Sequence, residues 1–130
     1  MTNSLDATID ESQDIFLLMA PHARGLKEKH LWRVDLGWGG RVLGWDKIEC
    51  PDPDTYVVHP KAVFEGAFGR GADRIVLVHN HLDDGLELQN SDHILTGMMA
   101  IWGNDVGVPL FDHVIVTERA WLSFRDLGLL

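Results

Sequence analysis

The order of its elements predicts that this chain is an α/β domain, a mixed sheet flanked by helices in the succession αββαβαββ. Three observations lead there. Short runs rich in β-branched and aromatic residues alternate with stretches of helical periodicity along the chain. One run, Ile75-Val-Leu-Val78, is apolar on both faces, as a covered central strand must be. A length of 130 residues at 45% hydrophobic content suffices for one domain with a real core and leaves no room for a second domain.

Residues 1 to about 9 are polar and are expected to be disordered. A short amphipathic helix follows, from about Glu11 to Ala20, with Asp10 as N-cap, Pro21 as its stop, and Phe16, Leu17 and Met19 on its apolar side. His30 to Leu36 reads as a strand in which Leu31, Arg33 and Asp35 alternate with Trp32, Val34 and Leu36. Gly37-Trp-Gly-Gly40 turns the chain into a second strand, Arg41 to Glu49. Pro51 to Asp54 interrupts the pattern, and Tyr56 to His59 is expected to be extended. Pro60 suits the first position of a helix reaching about Gly69, with Val63, Phe64, Ala67 and Phe68 as its buried stripe and Gly71 as its stop. Arg74 to His81 is the predicted central strand, and Leu82 to Asn90 an acidic loop. Asn90 or Ser91 caps a helix through about Gly103, with Ile94, Leu95, Met98, Met99 and Trp102 directed at the core. Strands Phe111 to Thr117 and Ala120 to Phe124 close the domain.

A formal net charge of −9 and the lack of a basic run make direct nucleic-acid binding an unlikely role. Cys50 stands alone, so there is neither a disulfide framework nor a cysteine zinc knuckle. The first residues show no signal-peptide pattern, and no apolar run approaches membrane length. The expected setting is the cytoplasm. The edges of a mixed sheet leave room for a homodimer.

The end of the central strand carries the most informative pattern. His79 and His81 stand at i and i+2, a spacing that puts both rings on one face of a strand with Cα atoms roughly 6.6 Å apart, a span one metal ion can bridge. Asp92, at the start of the next helix, offers a third ligand. Two histidines, a carboxylate and a position left open for water suit a hydrolytic zinc centre better than a closed structural one. Alone, the pattern also fits two structural histidines bonded to loop carbonyls and an aspartate capping its helix. Asp83 and Asp84 are alternative ligands in the acidic loop, and His113, after Asp112 at a strand start, reads as structural. His79-Asn80-His81 is too compact for an HNH nuclease, whose histidines are spread over a ββα unit. Trp38, in the glycine-rich turn, is the one tryptophan expected to project outward.

His59-Pro60-Lys61-Ala62-Val63-Phe64, Ala67 and Ile75 to His81 resemble the RadC-like branch of the JAB/MPN metalloprotease superfamily. So do Phe111-Asp112-His113-Val114-Ile115-Val116, Leu122-Ser123-Phe124 and Gly128-Leu129-Leu130. The resemblance runs from about residue 10 to residue 130. It implies one domain over 10–130 with a cytidine-deaminase-like fold. It also implies a zinc site built from a distant Glu, then His-x-His, seven residues, Ser, two residues and Asp. His79, His81 and Asp92 fill the ligand positions without a gap. The serine position, which in the family helps to stabilise the oxyanion, holds Gln89, and the usual Pro-Ser-Gly after the histidines is Leu82-Asp83-Asp84. The family glutamate belongs just before the first strand. There the ungapped match places Lys29, with Glu28 one residue earlier as the candidate for general base and acid.

The resemblance thus implies a zinc-dependent hydrolase of a peptide or isopeptide amide bond, with His79, His81 and Asp92 as ligands and Glu28 and Gln89 as catalytic helpers. The alternative is a catalytically degenerate domain that keeps the fold, with or without the metal, and serves as a binding or scaffold module. A DNA-repair association, carried by the family's name, is the least supported by the charge.

Overall fold

The computed structural model describes residues 7–51, 58–82 and 85–130. Its elements, in chain order, are α1 (Ser12–Ala23), β1 (Leu31–Leu36), β2 (Val42–Ile48), α2 (Pro60–Arg70), β3 (Arg74–Asn80), α3 (Asn90–Val106), β4 (Leu110–Val116) and β5 (Trp121–Ser123), with a 3-10 turn, Trp38–Gly40, between β1 and β2. The expected succession is the one observed. The sheet order is β2-β1-β3-β4-β5, so β3 is central. β1 runs antiparallel to both neighbours, β3 and β4 are parallel through the α3 crossover, and β5 returns antiparallel to β4.

Alternation along β3 divides the interior into two cores. Ile75 and Leu77 face α2 and α3, where Val63, Phe64, Ala67, Leu95 and Met99 pack on them. Val76 and Val78 face the opposite way, with Trp32, Val34 and Val114, against Ile15, Leu18 and Met19 of α1. Covered on both sides, β3 is buried from Ile75 to Asn80, which is why its sequence is a continuous apolar run. Among the described residues no helix is long and apolar enough to cross a membrane.

Several local expectations are corrected. Order begins before residue 10: Ile9 is buried, and its N–H bonds to the Gly40 carbonyl at 2.8 Å. Gly40, at φ +81°, permits this approach, since a Cβ there would come within 2.4 Å of the Ile9 carbonyl oxygen. The N-cap of α1 is Glu11 rather than Asp10, and Asp14 Oδ2 accepts from the N–H groups of both. Pro21 lies inside α1, which runs on to Ala23. Ile15, Leu18 and Met19 form the buried stripe, so Leu17 is exposed, while Phe16 stacks on Trp121. Phe68 of α2 is exposed as well. The buried face of α3 is Asp92, Leu95, Thr96, Met99 and Gly103, which leaves Ile94, Met98 and Trp102 outside. Trp38 is 91% exposed, as its turn suggested. Val58 and His59 lie outside any strand; the rest of the extended piece expected at 56–59, the expected disorder of residues 1–6, and Asp83 and Asp84 lie outside the described residues.

Candidate metal centre

Two elements deliver the candidate ligands. β3 ends at Asn80, so His79 is its penultimate residue and His81 follows at once. His81 stays in register, its N–H bonding to the Val116 carbonyl at 3.0 Å. Asp92 is the third residue of α3, where its carboxylate caps the helix by accepting from the Gln89 N–H at 2.8 Å. The sequence thus uses one aspartate twice, as a cap and as a wall of the site.

One nitrogen of each ring and a carboxylate oxygen lie within 4.8 Å of one another, and among the described residues this His79, His81 and Asp92 group is the one set that could hold a metal ion. His79 Nε2 is 3.1 Å from Asp92 Oδ1, and His81 Nε2 is 3.9 Å from Oδ2. His81 Nδ1 is 2.8 Å from the Gly85 carbonyl. A carbonyl only accepts, so Nδ1 carries a proton and donates there, while Nε2 is the nitrogen turned toward Asp92. Burial lowers the pKa of His79, with Asp92 opposing this and the charges of His81 and Lys29 adding to it. Burial works to raise Asp92, but the contact with His79 and the Gln89 N–H outweigh it and hold the carboxyl at about 2. The site therefore sets two imidazole rings against an ionised carboxylate, a donor set that a cation would satisfy. Those donors fit a zinc ion with an open position.

The proposed helpers are placed differently. Gln89 is the N-cap of α3 and is exposed; its backbone N–H donates to the Asp92 carboxylate and its carbonyl accepts from the Asp92 N–H at 3.0 Å. Glu28 is exposed in a bend, and among the described residues no hydrogen bond or ion pair joins its side chain to the triad. Asn80 fixes this segment: its Nδ2 donates to the Glu28 carbonyl at 3.0 Å and its Oδ1 accepts from the His30 N–H at 2.6 Å. β1 pairs with β3 with Leu31 opposite His79, which places Lys29, two residues before Leu31, on the side of the histidines. The charges agree. Lys29 acts on His79, whereas Glu28 acts on His30.

Two contributors, Asn80 and Thr96, escaped the sequence reading, and a third, His113, was read there as structural. Asn80 lies hidden between the two histidines. His113 touches the ring of His79, Nε2 to Nδ1 at 2.7 Å, and Thr96 Oγ1 is 2.6 Å from His113 Nδ1. The position of Thr96, one helical turn after Asp92, was the available signal. Beside His81 a cleft of about 280 Å³ opens between Arg24, Lys27, Leu82 and Glu118.

A family model described as RadC-like JAB domain matches residues 9–129. Among curated proteins, the UPF0758 protein of Chlorobaculum parvum is 30% identical over 127 residues, covering 98% of this chain and 57% of that protein. The UPF0758 protein of Desulfitobacterium hafniense is 30% identical over 122 residues, covering 94% of this chain and 54% of that protein. That of Caldanaerobacter subterraneus subsp. tengcongensis is 28% identical over 127 residues, covering 98% and 54%. The chain thus spans a little over half the length of these relatives.

Proposed function

The chain belongs to the RadC-like JAB domain family, and from that premise and its donor triad we propose that it binds one zinc ion and carries a weakened amide hydrolase activity. The observation that supports this reading is the convergence of His79, His81 and Asp92 within 4.8 Å at the end of the central strand. Zinc, when bound, supplies acidified water and a Lewis acid for a carbonyl. The two rings and the carboxylate hold it, and the Gln89 N–H keeps Asp92 in place. A peptide or isopeptide bond approaches, in this reading, from the side of His81, which lines a cleft. In this reading Glu28 moves the proton and the Gln89 amide donates to the oxyanion. Neither side chain is preorganised at the triad, so turnover is slow.

A second reading, a metal-holding scaffold without hydrolysis, is favoured by Lys29. An ammonium on the histidine side of the segment can neither accept a proton from water nor stabilise a cation beside it. Zinc per chain, measured in protein purified without chelators, and hydrolysis of linear and isopeptide-linked substrates separate the readings. About one zinc, lost in His81→Ala, with slow cleavage further reduced by Glu28→Gln, supports the hydrolase. One zinc with no cleavage supports the scaffold. No zinc in the wild type sinks both.

A further inference from the structure

Of the large apolar side chains among the described residues, Trp38 is the most exposed, at 91%. Tryptophan is on average a highly buried residue, so this position calls for a partner. The turn that carries it is ordered. The Gly37 N–H bonds to the Arg41 carbonyl at 2.8 Å and the Gly40 N–H to the Gly37 carbonyl at 3.1 Å. Gly39 and Gly40 take the positive φ values, +72° and +81°, that let the chain reverse beneath the indole. The ring thus stands out on a fixed support and has little backbone freedom left to lose on burial. Elsewhere on the surface, α2 and α3 form a groove of about 320 Å³ with an almost wholly apolar lining. Phe64 is buried there and Val106 half-buried, while Phe68 and Trp102 are exposed, and Met98 continues the apolar surface one helical turn before Trp102. Pockets for drug-sized ligands run from about 300 to 1,000 Å³, so this groove is of a size for one large side chain. Glu65 also lines it, and its side chain, 70% exposed, is engaged only by an exposed contact with Lys61 at 3.7 Å, a weak tie.

We propose that this groove is the docking site for Trp38 of a second copy of the chain, with the exposed Arg41 beside that indole meeting Glu65 of the groove. Size, polarity and charge all match. The indole is a flat apolar body for an apolar groove between aromatic rings, and tryptophan and arginine are the side chains that most often anchor interfaces. A net charge of −9 makes two copies repel over most of their surface, so self-contact is confined to places where acids are few or answered by a cation. The turn from Gly37 to Arg41 is such a place, since its single charge is positive. Turn and groove are different surfaces, so the contact is heterologous. Two copies that insert reciprocally close a dimer, and a geometry that does not close continues as a chain. One aromatic anchor buries roughly 150–250 Å², far below the roughly 1,200 Å² of a stable interface, so the association is weak, with a Kd on the order of 0.1 mM. It uses a turn and a helix face rather than the edges of the sheet, and it is independent of any metal.

The test uses two variants, each of which removes one half of the contact. Trp38→Ser deletes the indole and leaves the groove, while Phe68→Glu puts a charge in the groove and leaves the indole. Both positions are exposed, and circular dichroism confirms that each variant is folded. In the first arm, sedimentation velocity in chelator-containing buffer follows each protein up to about 1 mM. The wild type is expected to shift to species of dimer size or larger, and each variant to lose at least about tenfold in self-affinity. A wild type that stays monomeric throughout, or a Trp38→Ser protein that associates as the wild type does, overturns the proposal. In the second arm, nitrogen-15-labelled Trp38→Ser is titrated with unlabelled Phe68→Glu, which pairs an intact groove with an intact indole. The amide signals of Phe64, Trp102 and Val106 are expected to move, and titration with unlabelled Trp38→Ser instead is expected to leave them in place. Groove signals that stay still with both partners, or move equally with both, mean that Trp38 does not enter the groove.

Discussion

A buried arginine is stable only when its donors are met, and Arg33, 1% exposed in the middle of β1, meets this condition through its neighbours. Its Nε donates to Asp35 Oδ1 at 2.6 Å, one terminal nitrogen to the Val63 carbonyl at 2.8 Å, and the other to Asp35 at 2.9 Å and Asp46 at 2.6 Å. Arg70 closes the network on both carboxylates. The two acids are unequal, because the Asp35 side chain is fully buried and that of Asp46 is 45% exposed. Asp35→Ala strands a buried guanidinium and is expected to cost about 3–5 kcal/mol. Asp46→Ala, screened by water, is expected to cost about 1 kcal/mol or less. Urea unfolding of both variants checks the ranking, and equal losses would refute the assignment of Asp35 as the indispensable partner. Sequence alternation put Arg33 and Asp35 on one side of β1. It did not reveal that this side is buried, since strand charges two residues apart ordinarily face solvent. The candidate triad was readable for the opposite reason: His79 and His81 share a strand face by spacing and Asp92 falls at the position the resemblance assigns to a ligand, independent of what covers them. Lys29 and Glu28 were separated only by the pairing of Leu31 with His79, which no sequence spacing contains.

The helices were legible in position and less so in facing. α3 carries apolar residues around much of its circumference, so both the 92-95-96-99-103 stripe and the neighbouring 94-98-102 stripe satisfy helical periodicity. Only the sheet decides between them, and it takes the stripe holding Asp92 and Thr96, the one that serves the site. Two glycines of this helix make the choice testable. Gly97 is exposed, and a Cβ there would meet no atom within 4 Å. Gly97→Ala is expected to stabilise the protein by about 0.5–1 kcal/mol, since alanine loses less backbone entropy in a helix. Gly103 is the opposite case. A Cβ there would stand 2.7 Å from the Val108 carbonyl oxygen and 3.0 Å from the Leu110 N–H nitrogen, both of them backbone. Gly103→Ala is expected to destabilise by about 1–3 kcal/mol despite its better helix propensity, because the turn into β4 must shift. Thermal melts of the two variants should move in opposite directions. A shared direction would mean that propensity alone governs this helix.

At the scale of the whole molecule, the fold was legible because each element agrees locally with the layer it enters: apolar runs where strands are covered twice, one stripe where helices are covered once. The site was legible in its candidate ligands and not in their surroundings, since these cross elements: the end of β3 and the residue after it supply two rings, β4 the buried His113, and α3 the carboxylate with Thr96. A metal bound by the triad would accordingly join the end of the central strand to the start of α3. Binding to the native state alone stabilises by about 2.7 kcal/mol when free metal stands at 100 times its dissociation constant. For a domain of this size that corresponds to a rise of roughly 10 °C in Tm. The expected outcome is such a rise on adding zinc to chelator-treated protein, reversal by excess chelator, and its absence in His81→Ala and Asp92→Ala. The control in Asp92→Ala is the more severe of the two. It also removes the cap on α3, so its starting Tm should be lower, and the zinc-dependent increment is the quantity to compare. An equal increment in wild type and both variants would show that zinc stabilises through other groups, and the triad would then be a structural contact between strand and helix.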